Sequence, residues 1–159
     1  MPIATSGLPP FRQSLAARLI RAREAVISPL RPALKKVSLS EPQWRVMREL
    51  AERTSCDPTT LAIAALLHPP SVTRIIRDLE ARGLVIRRED GRDRRRAHVS
   101  LAPAGRAMVE DVSREMAGVY EHFSSRFGTG RLARLADELD ALATALDNDA
   151  GPDSPHETG

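Results

Sequence analysis

Cysteine occurs once in this chain, at Cys56, which excludes an internal disulfide and any paired-cysteine metal or redox motif. Aromatic residues make up only 3% of the 159 residues, namely Phe11, Trp44, Tyr120, Phe123 and Phe127. None interleaves with the basic residues, which argues against modules that stack the bases of RNA or single-stranded DNA on exposed rings. Lysine is nearly absent, occurring at Lys35 and Lys36, so the basic chemistry is arginine chemistry. The net charge of +3, from 24 basic and 21 acidic residues, is too small to carry a nucleic-acid argument by itself; the positions of the arginines must carry it. No stretch reaches the roughly 18 uninterrupted apolar residues of a membrane span, and residues 1 to 10 lack the basic start and apolar middle of a signal peptide. A cytoplasmic protein with no membrane partner is expected.

Catalytic signatures are missing as well. There is no glycine-rich phosphate loop, no HExxH pair and no nucleophile elbow, and Asp153, Ser154 and His156 fall in a tail without apolar period. His68, His98, His122 and His156 have no ligand spacing. The sequence predicts neither an enzyme nor a bound metal or cofactor.

What is present is helical periodicity around one charged run. Residues 1 to 10 and 147 to 159 are rich in Pro, Gly, Ser and Asp and read as mobile ends, leaving 11 to 146 as a single domain. Leu15, Leu19, Ala22, Val26, Leu30 and Leu34 form a helical stripe, and Pro29 and Pro32 predict a kink or break near Ser28. Ser40 and Gln43 have capping-box spacing and Leu39 and Trp44 staple spacing, opening a helix to about Arg53. Asp57 followed by Pro58 opens a short helix through Leu67, and Pro69-Pro70 starts the next. In that helix Val72, Ile75, Ile76 and Leu79 face inward, Ser71, Thr73, Arg74, Arg77 and Asp78 lie on or near the outer face, and Gly83 stops it. After Pro103 the stripe Met108, Val109, Val112, Met116, Val119, Phe123 and Phe127 is too long for a small domain to bury alone, and Gly128-Thr129-Gly130 breaks it. Leu132, Leu135, Leu139, Leu142 and Leu146 then alternate by three and four, the spacing of a helix-packing seam. These terminal helices predict a homodimer interface, with mutual cover inside one monomer as the alternative.

The run Arg87 to Arg96 holds six arginines and three acids in ten residues, flanked by Leu84-Val85-Ile86 and Ala97-His98-Val99-Ser100-Leu101. It reads as the tip of a hairpin anchored beside a core. A helix able to enter a major groove, followed by a basic loop able to reach phosphates or the minor groove, is a winged helix-turn-helix. The expected fold is therefore mainly α with a small β-hairpin wing.

The order of elements resembles the MarR family, the multiple antibiotic resistance regulators, as do Val72 to Glu80 followed by Gly83-Leu84-Val85, and Asp90-x-Arg92-Asp93-x-Arg95 with Val99-x-Leu101. The resemblance spans about residues 12 to 146. It implies dimerisation segments at 11 to 37 and 103 to 146 around a DNA-binding lobe at 39 to 102, an inverted-repeat operator in double-stranded DNA, and an Asp93 and Arg95 pair that orders the wing. Ala22 to Ala25, Leu30-Arg31-Pro32 and Leu39 to Arg45 are similar to the regulators of homoprotocatechuate degradation within that family. This implies a repressor released by a small aromatic carboxylate. Two departures stand out: Ala102 replaces the family's usual Thr, so the following helix start is expected to fray at a cost of about 1 kcal/mol, and Pro29 interrupts the family's first helix.

The candidate DNA contacts are Ser71, Thr73, Arg74 and Arg77 on the helix and Arg92, Asp93, Arg94, Arg95 and Arg96 in the wing. For the effector the candidates are Arg23, Arg31 and Arg45, one of which would clamp a carboxylate, and Trp44, on which a ring would stack. The same four residues admit a second reading, a stapling tryptophan in the core with arginines paired to Glu24 and Glu41. Two further functions stay open at this point: an architectural or protein-interaction winged helix, and a redox sensor using Cys56.

Overall fold

The computed structural model describes Gly7 and residues 9 to 89 and 97 to 149. The loop 90 to 96 and the two chain ends lie outside the described residues. The chain divides into two compact units, one reaching Ala117 and one beginning at Gly118.

In the first unit Ser14 accepts a hydrogen bond from the Ala17 N–H and opens α1, Leu15–Ile27. Pro29 then acts as expected: a single 3-10 turn, Ser28–Leu30, separates α1 from α2, Arg31–Lys36. Ser40 and Gln43 complete the capping box of α3, Glu41–Glu52; the Gln43 N–H donates to Ser40 Oγ at 3.3 Å and the Ser40 N–H to Gln43 Oε1 at 2.8 Å. Asp57 caps α4, Pro58–Ala64, accepting from the N–H groups of Thr59 and Thr60 at 3.0 Å each. Next come α5, Pro69–Ala81, and the antiparallel hairpin of β1, Val85–Glu89, and β2, Ala97–Leu101, paired from Val85 with Leu101 to Glu89 with Ala97. An isolated antiparallel bridge lies against this two-stranded sheet at Cys56, which exchanges backbone hydrogen bonds with Val99. The core of the unit is Val46, Met47, Leu50, Leu61, Val72, Leu79 and Val99, all inaccessible to solvent. Full burial of such side chains contributes about 1.5–3 kcal/mol each.

Two helix ends close in the same way, and the first falls short of the periodicity-based expectation. The helix α4 stops at Ala64 rather than Leu67, because Leu66 takes a left-handed conformation (φ +54°). The Leu67 N–H then donates back to Ala62 O at 2.9 Å, closing a Schellman turn on a residue type that pays a steric penalty there. Ser38 (φ +53°) closes α2 likewise, with the Leu39 N–H donating to Leu34 O at 3.0 Å. Glycine, the usual residue at such positions, closes α5 at Gly83 (φ +68°).

The helix α6, Pro103–Phe127, begins at Ala102 without a side-chain cap. Backbone contacts hold this start instead of leaving it to fray. The Ala102 N–H donates to Leu84 O at 3.0 Å, and Gly105 packs so close that a Cβ there would sit 2.0 Å from the same oxygen.

In the second unit Gly128 (φ +93°) ends α6 and α7, Thr129–Asp149, follows. Tyr120 and Phe123 stack edge to face at 5.8 Å, and the Arg131 guanidinium lies 4.2 Å from the centre of the Phe127 ring. Leu132 and Leu142 are half-buried, whereas Leu135, Leu139 and Leu146 are exposed.

Candidate nucleic-acid interface

The helix α5 buries Val72, Ile76 and Leu79, half-buries Ile75, and so fixes which residues look outward. At 100° per residue Arg74 and Arg77 fall opposite the buried stripe, and both are exposed. Thr73 and Glu80 lie on the flank toward the hairpin, where Thr73, Arg77, Glu80 and Arg87 line a small cleft of about 110 Å³ with Pro58. Thr73 is exposed, its hydroxyl donating to Pro69 O at 3.2 Å. Half-buried Ser71 lies on the opposite flank, in a cleft shared with Arg74, Asp78 and Gln43 of α3. The two arginines and two hydroxyl residues expected to meet DNA thus occupy one continuous outward surface of a single helix, beside a hairpin. Arg92, Asp93, Arg94, Arg95 and Arg96 lie outside the described residues; strand β1 adds Arg87 and Arg88, both exposed and not singled out in the sequence as contacts.

The four residues expected to bind an effector are not brought together. Arg23 is ion-paired with Glu41, and Arg31 forms a fork on Glu24, donating at 2.5 and 2.8 Å. That hydrogen-bonded fork lowers the Glu24 pKa below the ordinary carboxylate value and raises that of Arg31. Trp44 is buried beside buried Leu39, where the staple spacing puts it, so its ring faces the core. Arg45 points away from this cluster, with its Nη1 donating to Ala65 O at 3.0 Å and Leu66 O at 3.1 Å. It neutralises the carbonyls left over by the α4 turn. These placements follow the second reading of the sequence, pairing for Arg23 and Arg31 and the core for Trp44. The role of Arg45 depends on a turn that the sequence does not announce. Arg31 still lines an open groove of about 700 Å³ with Leu34, Lys35, Ser38, Leu39 and Gln43.

Cys56 is buried against the sheet, and loss of solvent pushes its thiol pKa up. A thiol so placed is a poor nucleophile at neutral pH. Among the described residues no group of three or more His, Cys, Asp or Glu side chains is placed to hold a metal ion, and no helix is long and apolar enough to cross a membrane.

The MarR family pattern matches residues 39–97 of this chain. The homoprotocatechuate degradative operon repressor of Escherichia coli is 34% identical over 145 residues, which cover 91% of this chain and 97% of that protein. The chain belongs to the MarR family. Another similar protein is the HTH-type transcriptional regulator FarR of Neisseria gonorrhoeae, 34% identical over 84% of this chain and 92% of its own. Among solved structures, NadR in complex with 4-hydroxyphenylacetate superimposes with a TM-score of 0.73 at 33% identity, covering 90% of this chain and 98% of NadR. Family membership gives α5 and the β1–β2 hairpin their names, recognition helix and wing.

Proposed function

We propose that this protein is a homodimeric, ligand-responsive repressor that binds an inverted-repeat operator in double-stranded DNA and is released by a small phenolic carboxylate. The observation that carries the DNA-binding part is the outward surface of α5, Ser71, Thr73, Arg74 and Arg77, beside the β1–β2 hairpin with its exposed Arg87 and Arg88; Arg92, Arg94, Arg95 and Arg96, which lie outside the described residues, are assigned to the same interface from the sequence. Side chains of this kind on a helix approach base edges and phosphates, while loop arginines reach the minor groove. Asp93 is assigned to ordering that loop. Residues 11 to 37 and 103 to 146 are assigned to dimerisation, and 39 to 102 to the DNA-binding lobe. Such a regulator works without catalysis, in the cytoplasmic compartment that holds the chromosome.

The effector class rests on likeness along nearly the whole length of a homoprotocatechuate operon repressor and to a regulator crystallised with 4-hydroxyphenylacetate. This chain adds an open groove lined by the cations Arg31 and Lys35 and the acid Glu41, with the edges of the largely buried Leu34 and Leu39 in the same lining. Arg23 supports it one step back, through Glu41. Because Arg31 is held by Glu24, an incoming carboxylate must share or displace that partner. The buried, raised-pKa Cys56 weighs against the redox alternative.

The test starts by selecting duplexes from a random pool with the purified protein. An inverted repeat with half-sites about one helical turn apart is expected. Titration with 4-hydroxyphenylacetate should change the emission of Trp44, the chain's only tryptophan, and weaken binding to the selected duplex by about 100-fold, a coupling of about 2.7 kcal/mol. Equal affinity for every duplex would instead identify an architectural protein. Ligand binding without any loss of DNA affinity would remove the effector from the proposal.

A further inference from the structure

Two polar side chains at the C-terminal end of α5, Asp78 and Arg82, reach across to α3 and the turn that precedes it. On the flank toward α3, Asp78 Oδ2 accepts a hydrogen bond from Gln43 Nε2 at 2.6 Å, while Gln43 Oε1 accepts from the Ser40 N–H inside the capping box. One turn further on, Arg82 spreads its guanidinium over the Val37–Ser38 turn: Nη1 donates to Ser38 O at 3.0 Å and Nη2 to Val37 O at 3.1 Å. Asp78 and Arg82 also face each other at 3.8 Å. Both partners of this tether are segments that hold a fixed conformation, a capped helix start and a left-handed turn at Ser38 closed by the Leu39 N–H. Arg45 repeats the device at the other end of α5, gripping the carbonyls of the left-handed turn at Leu66 just before the helix begins.

We propose that Asp78 and Arg82 are positioning residues for operator reading: they tie the recognition helix to the capped start of α3 and to the Val37–Ser38 turn, and so set the angle at which Arg74 and Arg77 meet base edges. This rests on the reading of α5 as the DNA-contacting helix. The physical reason is that base discrimination depends on bidentate geometry, which a small rotation of the helix spoils, whereas non-specific attraction to phosphates tolerates it. Apolar packing of Val72, Ile76 and Leu79 holds α5 onto the unit but resists rotation about its own axis only weakly. Directional hydrogen bonds from one flank to a rigid turn resist it directly. Two of the residues they grip, Ser38 and Gln43, also form part of the wall of the open groove. A ligand that moves this wall therefore moves the anchor of the recognition helix.

The two residues carry opposite charge, which gives the experiment its sign. If they act only through the electrostatic field at the DNA, Asp78→Ala should tighten binding and Arg82→Met should weaken it. As positioning residues, both substitutions lower binding in the same direction. Each variant of the full chain is titrated with the duplex selected by the wild type and with a random duplex of the same length, at several salt concentrations. The expected result is a loss of about 10-fold or more in the ratio of selected to random affinity for both variants, with the salt slope on random duplex unchanged. Arg82→Lys, which can serve only one of the two carbonyls well, should fall between Arg82→Met and wild type. Asp78 and Arg82 are exposed enough that the fold should survive, and unchanged sedimentation and circular dichroism would confirm that the ratio reports aim. Opposite shifts for the two charges, or a smaller salt slope with Arg82→Met, would overturn the proposal and make Arg82 a phosphate contact. Ratios equal to wild type would overturn it too. A wild type that selects no duplex at all would overturn the operator reading and this inference with it.

Discussion

Segment 39 to 102 and the helices α1 and α7 carry apolar stripes of the same helical period, yet their fates differ. In the former the stripe positions Trp44, Met47, Leu50, Val72, Ile76 and Leu79 are all buried. In α1 no residue is buried, and Phe11, Leu15, Ile20 and Val26 on or just before it are exposed. In α7 the leucine seam leaves Leu135, Leu139 and Leu146 exposed. Periodicity reports that a face is apolar; it does not report what covers it. For the first segment the cover is the chain itself. For α1 and for α7 we propose that a second copy supplies it, because exposed apolar stripes of this kind mark interaction sites.

The sharpest way to break this contrast is to remove volume where the cover is internal. Leu79→Ala deletes a side chain with no solvent exposure and should cost about 2–5 kcal/mol. Denaturant unfolding should show this cost to be independent of protein concentration. A midpoint that recovers as concentration rises would mean that this segment, too, depends on a partner.

The opposite test places a charge on the terminal seam. Leu139 is 41% exposed, so Leu139→Asp should be nearly silent in an isolated monomer. If the seam is a dimer interface, the carboxylate is desolvated on association. A cost of about 3 kcal/mol, or more than about 100-fold in association, is expected. Sedimentation should then show a monomer where the wild type is a dimer, and operator affinity should fall because two half-sites no longer bind together. Unchanged sedimentation would return the seam to intramolecular cover.

The same contrast explains what could be read from the amino acids. Signals that act over a few residues were legible: the Ser40 and Gln43 box, the Asp57 cap, the break at Pro29 and the stop at Gly83 all appear where their spacing puts them. The outward set of α5 followed from its period alone. Directions of long side chains were legible only as alternatives: Glu24 and Glu41 could be named as partners, but which of two fates each guanidinium takes is decided by the tertiary fold. Arg23 and Arg31 went to acids that lie 18 and 7 residues away, and Arg45 to a turn 20 residues away. The roles of Asp78 and Arg82 were missed for the same reason; their one local signal is an oppositely charged pair four apart on a helix flank. Ala102 misled because a missing side-chain cap was replaced by backbone contacts to Leu84.

The smallest effect belongs to the cap of α4, and it refines the contrast through pH. Asp57 accepts from the Thr60 hydroxyl at 2.6 Å and from two backbone N–H groups, and these bonds, led by that from Thr60, hold its pKa below the ordinary value of 3.8. A carboxyl whose pKa is lower in the folded state stabilises the fold while ionised. Its contribution is therefore complete above the unfolded value and is lost as pH falls through the lowered folded one. Asp57→Ala should cost about 1 kcal/mol at neutral pH, a typical loss for an N-cap. The difference between variant and wild type should shrink below about pH 4, where the wild-type carboxyl also begins to protonate. Because the cap lies within the internally covered segment, the cost should be the same in dimeric protein and in the Leu139→Asp background. Chemical denaturation of both backgrounds at pH 7 and pH 3 measures this directly. A cap effect that grows when the dimer is broken would show that the two regions are energetically coupled rather than separately covered.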